Sequence, residues 1–346
     1  PSYITIHHRI SDSCVCVCVC VSLAISHHSV HSLISTPYIM FIATLSPCLP
    51  FKQLLAALKD LLTDCVLECS PNGITLQAMD SSHVSLCTFR LAANGFQQYE
   101  CQPPSQNYTQ PSAQPSAQPS AQESAQESTQ DATYTLGVSI GTLDRLLHGA
   151  HRDDTLQWVV DDNQPDVLTL TYHSSTVPIT RKTQFQVPLM YLDHDTLGVP
   201  NSVDYTTRIT LPPDVLGKVC KEVSVVGDTC CIRCESIPGG PRQVGFGVEG
   251  DLGKALVVLE HEGDVDVVPA QSPVPVSVHI HPTAPTSIAQ SFSLRFLTLF
   301  AKFAPLSDRV VLEMDKEAPL RVTFRLMMEG ESWVRLYLAP KMDECV

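Results

Sequence analysis

Positive charge is scarce in this chain. Its 346 residues hold 22 Lys+Arg against 36 Asp+Glu, a formal net charge of −14. That balance argues against a protein coated in a basic nucleic-acid patch, but not against one whose cations are gathered on a single surface. Catalytic signatures are also lacking: there is no phosphate loop, no GxSxG, no HExxH and no paired metal motif. Asp80 and Asp193 have no nameable partner for acid–base work, and His279 and His281 lack a third ligand. An enzyme is therefore disfavoured, and no cofactor or metal site is expected. Nor is there a long hydrophobic run. The apolar stretch 14–26 is too short to span a membrane as a helix. With one upstream arginine, Arg9, and no clear cleavage site, it does not read as a signal peptide.

Cysteine, by contrast, is plentiful, with 14 residues. Cys231 and Cys234 form one CxxC, but a structural zinc site needs four ligands and no second pair is present. Positions three apart on a strand face opposite sides, which further weakens a shared metal. Reduced thiols are the expectation, because disulfide frameworks belong to small secreted chains.

Two segments read unlike the rest. Residues 1–39 lack an initial methionine, contain the dipeptide repeat CVCVCVCV and show no helical or strand period. They are expected to be a spurious or disordered extension, with Met40 as the start. Residues 103–131 include QPSAQPSAQPSAQESAQEST and lack large apolar side chains. Such a segment cannot bury enough surface to offset its ordering entropy, so a disordered insert is expected.

With those segments set aside, an internal repeat emerges. Its four copies begin FKQLLAALKDLL, GTLDRLLHGAH, DVLGKVCKEV and SLRFLTLFAKFAPL. Each has aliphatic residues at three- and four-residue spacing, which predicts an amphipathic helix. Period-two alternation around a turn signal follows: Pro71-Asn72-Gly73, Asp161-Asp162-Asn163, Pro238-Gly239-Gly240 or Asp315-Lys316-Glu317. The expected fold class is α+β, with two similar domains of two helix-plus-hairpin units each. The expected boundaries are 40–191 for the first domain, 192–206 for a connector and 207–346 for the second.

The helices share one further property. Lys52 and Lys59 are seven apart; Arg145, His148 and Arg152 are three and four apart; Lys218 and Lys221 are three apart; Arg295 and Lys302 are seven apart. Each set falls on one helical face. For any one helix a solvated outer face is the better explanation. Four equivalent helices in an acidic protein point instead to cations collected on one surface, suited to a phosphate backbone without reading bases.

From Met40, MFIATLSPCLPFKQLLAALKDLL and GITLQAMDSSHVSL resemble the start of the proliferating cell nuclear antigen family of eukaryotic DNA sliding clamps. LDHDTLGVP at 192–200 resembles the family's interdomain connector, and YLAPK at 337–341 its C-terminal signature. The resemblance covers about residues 40–101 and 134–346. It implies a nuclear ring of three identical subunits, helices lining the hole and sheets outside, closed head to tail. Edge strands near 183–190 of one subunit would pair with 252–260 of the next. The hole would hold duplex DNA through Lys52, Lys59, Arg145, His148, Lys218, Lys221, Arg295 and Lys302. His148 and Gln53 stand where the family carries lysine.

The resemblance also implies an outer site for short peptide motifs of DNA polymerase, clamp loader, nuclease and ligase type partners. Its residues would be Met79, His83, Val84, Leu86, Leu197, Val199, Pro319, Tyr337, Ala339 and Pro340. A heterotrimeric checkpoint clamp subunit and a diverged paralogue are the competing readings. Ser236 occupies the position where the family often carries a modified lysine, so regulation there is in doubt.

Overall fold

The computed structural model describes residues 39–102, 133–174, 180–193, 205–236, 242–260, 276–280, 287–342 and 345. Residues 1–38 of the expected extension, the insert, the connector residues Leu197 and Val199 and the turn Pro238-Gly239-Gly240 therefore lie outside the described residues, whereas Ile39, placed in the extension by the sequence, is the first residue of a strand. The chain runs β1 (Ile39–Leu45), α1 (Leu49–Leu58), β2 (Asp64–Ser70), β3 (Gly73–Met79), β4 (Ser85–Ala92) and β5 (Gln98–Cys101). It continues with β6 (Tyr134–Ser139), α2 (Ile140–Leu147), β7 (Thr155–Asp161), β8 (Gln164–Ser174) and β9 (Arg181–Pro188). Then come β10 (Thr207–Leu211), α3 (Pro213–Val223), β11 (Thr229–Ser236), β12 (Arg242–Gly250) and β13 (Gly253–Glu260). Last are β14 (Ser277–Ile280), β15 (Ser287–Ser293), α4 (Leu294–Phe300), β16 (Val310–Asp315), β17 (Ala318–Arg325) and β18 (Trp333–Leu338).

All four predicted helices are present, each built on its apolar spacing. In α1, Phe51, Leu54, Leu55 and Leu58 are buried; in α3, Leu216, Val219, Cys220 and Val223. A proline in the first turn starts α1 and α3, where its missing N–H costs nothing. Helix α4 tightens after seven residues into a 3-10 segment, Ala301–Leu306, which contains Pro305. Proline has no N–H to continue the α-ladder and crowds the preceding turn.

The hairpins follow the helices as expected but are shared out among three sheets. The five-stranded sheet has the order β5-β1-β7-β8-β9, and the four-stranded sheet β13-β12-β11-β15. The nine-stranded sheet has the order β14-β10-β16-β17-β18-β4-β3-β2-β6. The first and fourth hairpins thus meet across the β4–β18 ladder, from Trp333 opposite Arg90 to Leu338 opposite Ser85. Burial alternates along strands such as β7 and β17, so one face of each is turned to a core and the other left accessible. Aromatic contacts fix helix to sheet: Phe51 meets Trp158 edge-on at 4.8 Å, and Phe303 packs on Phe324 at 5.8 Å. No helix among the described residues is long and apolar enough to cross a membrane.

Candidate functional site

The four helices form one contiguous layer. Helix α1 packs on α2 and on the 3-10 segment after α4, and that segment packs on α3. Their buried stripes face the sheets, so the cations between those stripes face out. Lys59, Arg145, His148, Lys218, Lys221, Arg295 and Lys302 are exposed, and Lys52 is half-buried. Lys59 sits at the C-cap of α1, where positive charge complements the helix dipole, and His148 sits at the C-cap of α2. Lys302 lies in the 3-10 segment rather than on the α-helix itself.

Several of these cations already have partners. Lys59 pairs with Asp144 at 2.8 Å and Lys302 with Asp60 at 2.6 Å. Lys218 pairs with Asp214 one turn back, and Lys52 donates to the Ala150 carbonyl. Hydrogen bonding to Asp144 raises the Lys59 pKa, and the bond to Asp214 raises that of Lys218. Both shifts favour the charged ammonium of Lys59 and Lys218. The layer is thus a mixed field in which acids hold lysines in place.

Of the sequence-predicted peptide residues, Met79, Leu86 and Tyr337 lie side by side on the nine-stranded sheet. Met79 stands opposite Leu86, and Leu86 opposite Tyr337. Opposed residues in a ladder share a face, so these three line one row. Ala339 N–H donates to the Val84 carbonyl at 3.2 Å, which brings the C-terminal segment beside the turn before β4. His83 caps that turn, exposed and at φ 57°. Pro319 is exposed near the start of β17, and Pro340 is exposed just beyond β18. Leu197 and Val199 lie outside the described residues.

The same row continues into charged groups that sequence reasoning did not single out. Tyr337 stands opposite Arg321, Arg321 opposite Glu313, and Glu313 opposite Arg208. Glu313 is 4% exposed. It accepts from Arg321 Nε at 2.6 Å and from Arg208 Nη2 at 2.7 Å. Burial alone pushes its pKa up, but the two guanidinium groups outweigh that and hold it below the ordinary range. The Arg321 guanidinium also lies 4.4 Å from the Tyr205 ring, and the Tyr205 hydroxyl donates to the Pro319 carbonyl at 3.0 Å. Tyr205 and Arg321 thereby tie the residues just before β10 to the strand carrying Pro319. Strand alternation would have placed Arg321 two residues from Pro319 on the same face.

Asp80 has a structural task. Its buried carboxylate accepts from the backbone N–H of Ser82 at 2.8 Å, Val84 at 2.9 Å and Ser85 at 2.6 Å, and from the Ser82 hydroxyl. Burial would raise its pKa, but these four donors outweigh it and the pKa is lowered. The carboxylate therefore fixes the turn that presents His83 and Val84.

The expectation of reduced thiols is corrected at one place. Cys231 and Cys345 form a disulfide with Cα atoms 5.4 Å apart, a separation within disulfide reach. The opposite-face argument holds on β11: Cys234 is buried, while Cys231 is half-buried on the other face.

The proliferating cell nuclear antigen N-terminal domain model matches residues 40–107, and the C-terminal domain model matches residues 198–341. Proliferating cell nuclear antigen 2 of Drosophila melanogaster is 30% identical over 306 residues, covering 88% of this chain and 99% of the relative. Proliferating cell nuclear antigen of Chaetomium thermophilum is 31% identical over 293 residues, covering 85% of this chain and 95% of the relative. With both domain models matched in order on a helix layer backed by three sheets, this chain belongs to the proliferating cell nuclear antigen family, with its α+β clamp fold.

Proposed function

We propose that three copies of this chain close head to tail into a ring around duplex DNA. The ring serves as a processivity factor for a DNA polymerase in the nucleus and takes no catalytic part. The observation that carries this reading is the contiguous helix layer with its exposed cations. A phosphate backbone is held by such charges without base readout, so the ring slides.

Ring closure is supported by two strand edges. Strands β9 and β13 end their sheets, and each spans eight residues. Exposed edges are a liability that natural proteins cover. Leu256 is 69% exposed on β13, Leu252 is 77% exposed just before it, and Tyr191 is 69% exposed beyond β9. Pairing β9 with β13 of a neighbour continues both ladders and covers their unpaired backbone groups.

The row through Met79, Leu86 and Tyr337 is the docking place for the short peptide motifs of polymerase, clamp loader, nuclease and ligase type partners in replication and repair. Apolar anchors in a small pocket carry most of such binding energy.

Light scattering after gel filtration, on the full chain, tests the ring. A mass of three subunits is expected. A monomer at micromolar concentration would sink the homotrimer and point to a heteromeric clamp. After opening of the ring by a clamp loader and ATP, retention on circular DNA but loss from linear DNA tests encirclement.

A further inference from the structure

Away from the helix layer and the peptide row, the four-stranded sheet carries a cleft of about 650 Å3 on its accessible face. Cys231, Ser291, Gln243, Lys254 and Leu256 contribute to its lining. Gly245 and Gly247 form a bare floor, with Leu256 Cδ1 3.4 Å from where a Gly245 Cβ would sit. Cys231 stands between Gly247 on β12 and Ser291 on β15.

The C-terminal segment is fastened at this cleft twice. Lys341 N–H donates to the Ser291 carbonyl at 2.7 Å, and its ammonium donates to Thr229 Oγ1. Cys345 then closes the disulfide to Cys231 across 114 residues of sequence, its sulfur 3.4 Å from Ser291 Oγ. Both cysteines are half-buried, not enclosed. The free cysteines among the described residues differ. Most are buried, and burial pushes Cys65, Cys220, Cys230 and Cys234 up to about 12. Thiols of that kind are inert in exchange.

We propose that Cys231 and Cys345 form a reversible redox clasp, which holds Cys345 beside Ser291 at the rim of the cleft when oxidised and releases it when reduced. Reduction proceeds by thiol–disulfide exchange with glutathione. A glutathione thiolate attacks one sulfur of the pair, the other leaves as a thiolate and is protonated, and a mixed disulfide forms. A second glutathione thiolate displaces the remaining protein thiolate. The protein disulfide gains two electrons and two protons, and two glutathiones become glutathione disulfide. Oxidation by glutathione disulfide runs the same steps backward. Disulfides inside cells are typically of this transient, sensing kind. The clasp does not depend on the ring or peptide reading.

The full chain is equilibrated in glutathione buffers of graded reduced-to-oxidised ratio, quenched with acid, alkylated and mapped by peptide mass. Cys231 and Cys345 are expected to become alkylated together, with a second-order dependence on reduced glutathione, while Cys230 and Cys234 stay protected. Hydrogen exchange at Lys341 is expected to rise at least tenfold on reduction. Cys345→Ser and Cys231→Ser should each show the fast exchange in both conditions. The clasp is overturned if Cys231 stays alkylatable in every buffer, pairs with another cysteine, or reduction leaves exchange at Lys341 unchanged.

Discussion

Tyr337 on β18 stands directly opposite Leu86 on β4, so the ladder that joins the two hairpins also assembles the row proposed to dock peptides. The backbone bonds of that ladder do not need the tyrosine ring. A Tyr337→Ala change should therefore leave the fold intact while emptying the centre of the row. We expect it to cost about 2 kcal/mol or more in binding, the size of an interface hot spot. That is a loss of roughly 30-fold in Kd. Calorimetry with a synthetic peptide carrying a glutamine, an aliphatic residue and two aromatics on one turn measures it. Unchanged affinity in a folded variant would remove Tyr337 from the site.

Asp80 gives the turn beside that row a pH dependence whose sign can be worked out. Its folded pKa lies below the ordinary carboxylate value of about 3.9. Its contribution is thus complete above about pH 4 and is lost as pH falls through the folded value. Asp80→Ala leaves the Val84 and Ser85 N–H groups without their acceptor. The expected cost is about 1–3 kcal/mol near neutral pH. Urea unfolding of both proteins should show that gap at pH 7 and its narrowing below about pH 4. A gap independent of pH would mean that the carboxylate charge does not hold the turn.

Much of this arrangement was legible in the sequence, and the reasons differ by element. Phe51, Leu54, Leu55 and Leu58 announce α1 because burial on one face requires that spacing. Asn72-Gly73 announces the first hairpin because Gly73 sits at φ 131°, which a side chain resists. Sharing of the hairpins among three sheets was not legible: ladder partners such as Trp333 and Arg90 are far apart in sequence, and local pattern carries no register between distant strands. The Cys231–Cys345 pair escaped for the same reason, since the CxxC drew attention to the wrong neighbour. Arg321 was missed because its partners Glu313 and Tyr205 meet only once β16, β17 and the residues just before β10 are assembled.

The Glu313 cluster is a buried charge whose value lies in its partners. Removing the carboxylate leaves Arg321, 17% exposed in its side chain, without its counter-ion. Glu313→Gln is expected to destabilise by about 3 kcal/mol, the lower end for breaking a buried pair. The more accessible Arg208, 60% exposed in its side chain, should matter less, so Arg208→Ala is expected to cost about 1 kcal/mol or less. Denaturant midpoints at fixed slope give both values. If Arg208→Ala proved the costlier change, Arg321 would not be the partner that holds Glu313.

Asp60 and Lys302 pose the sharpest question about the helix layer. Their 2.6 Å contact ties the turn just after α1 to the 3-10 segment after α4, across 242 residues of sequence. A lysine engaged with a carboxylate has less charge to offer a phosphate, and the pair is exposed enough that its own worth is small. Removing the acid should then cost little stability and free the lysine. Asp60→Asn is expected to tighten DNA binding and steepen its salt dependence, whereas Lys302→Gln should weaken binding and reduce the slope by about 0.9. The double variant should resemble Lys302→Gln alone, because without the lysine the acid has nothing to restrain. Salt titrations of a duplex oligonucleotide by fluorescence anisotropy separate these cases. If Asp60→Asn weakened binding instead, the carboxylate would be positioning Lys302 for phosphate rather than competing for it, and the mixed field on the helices would be part of the grip.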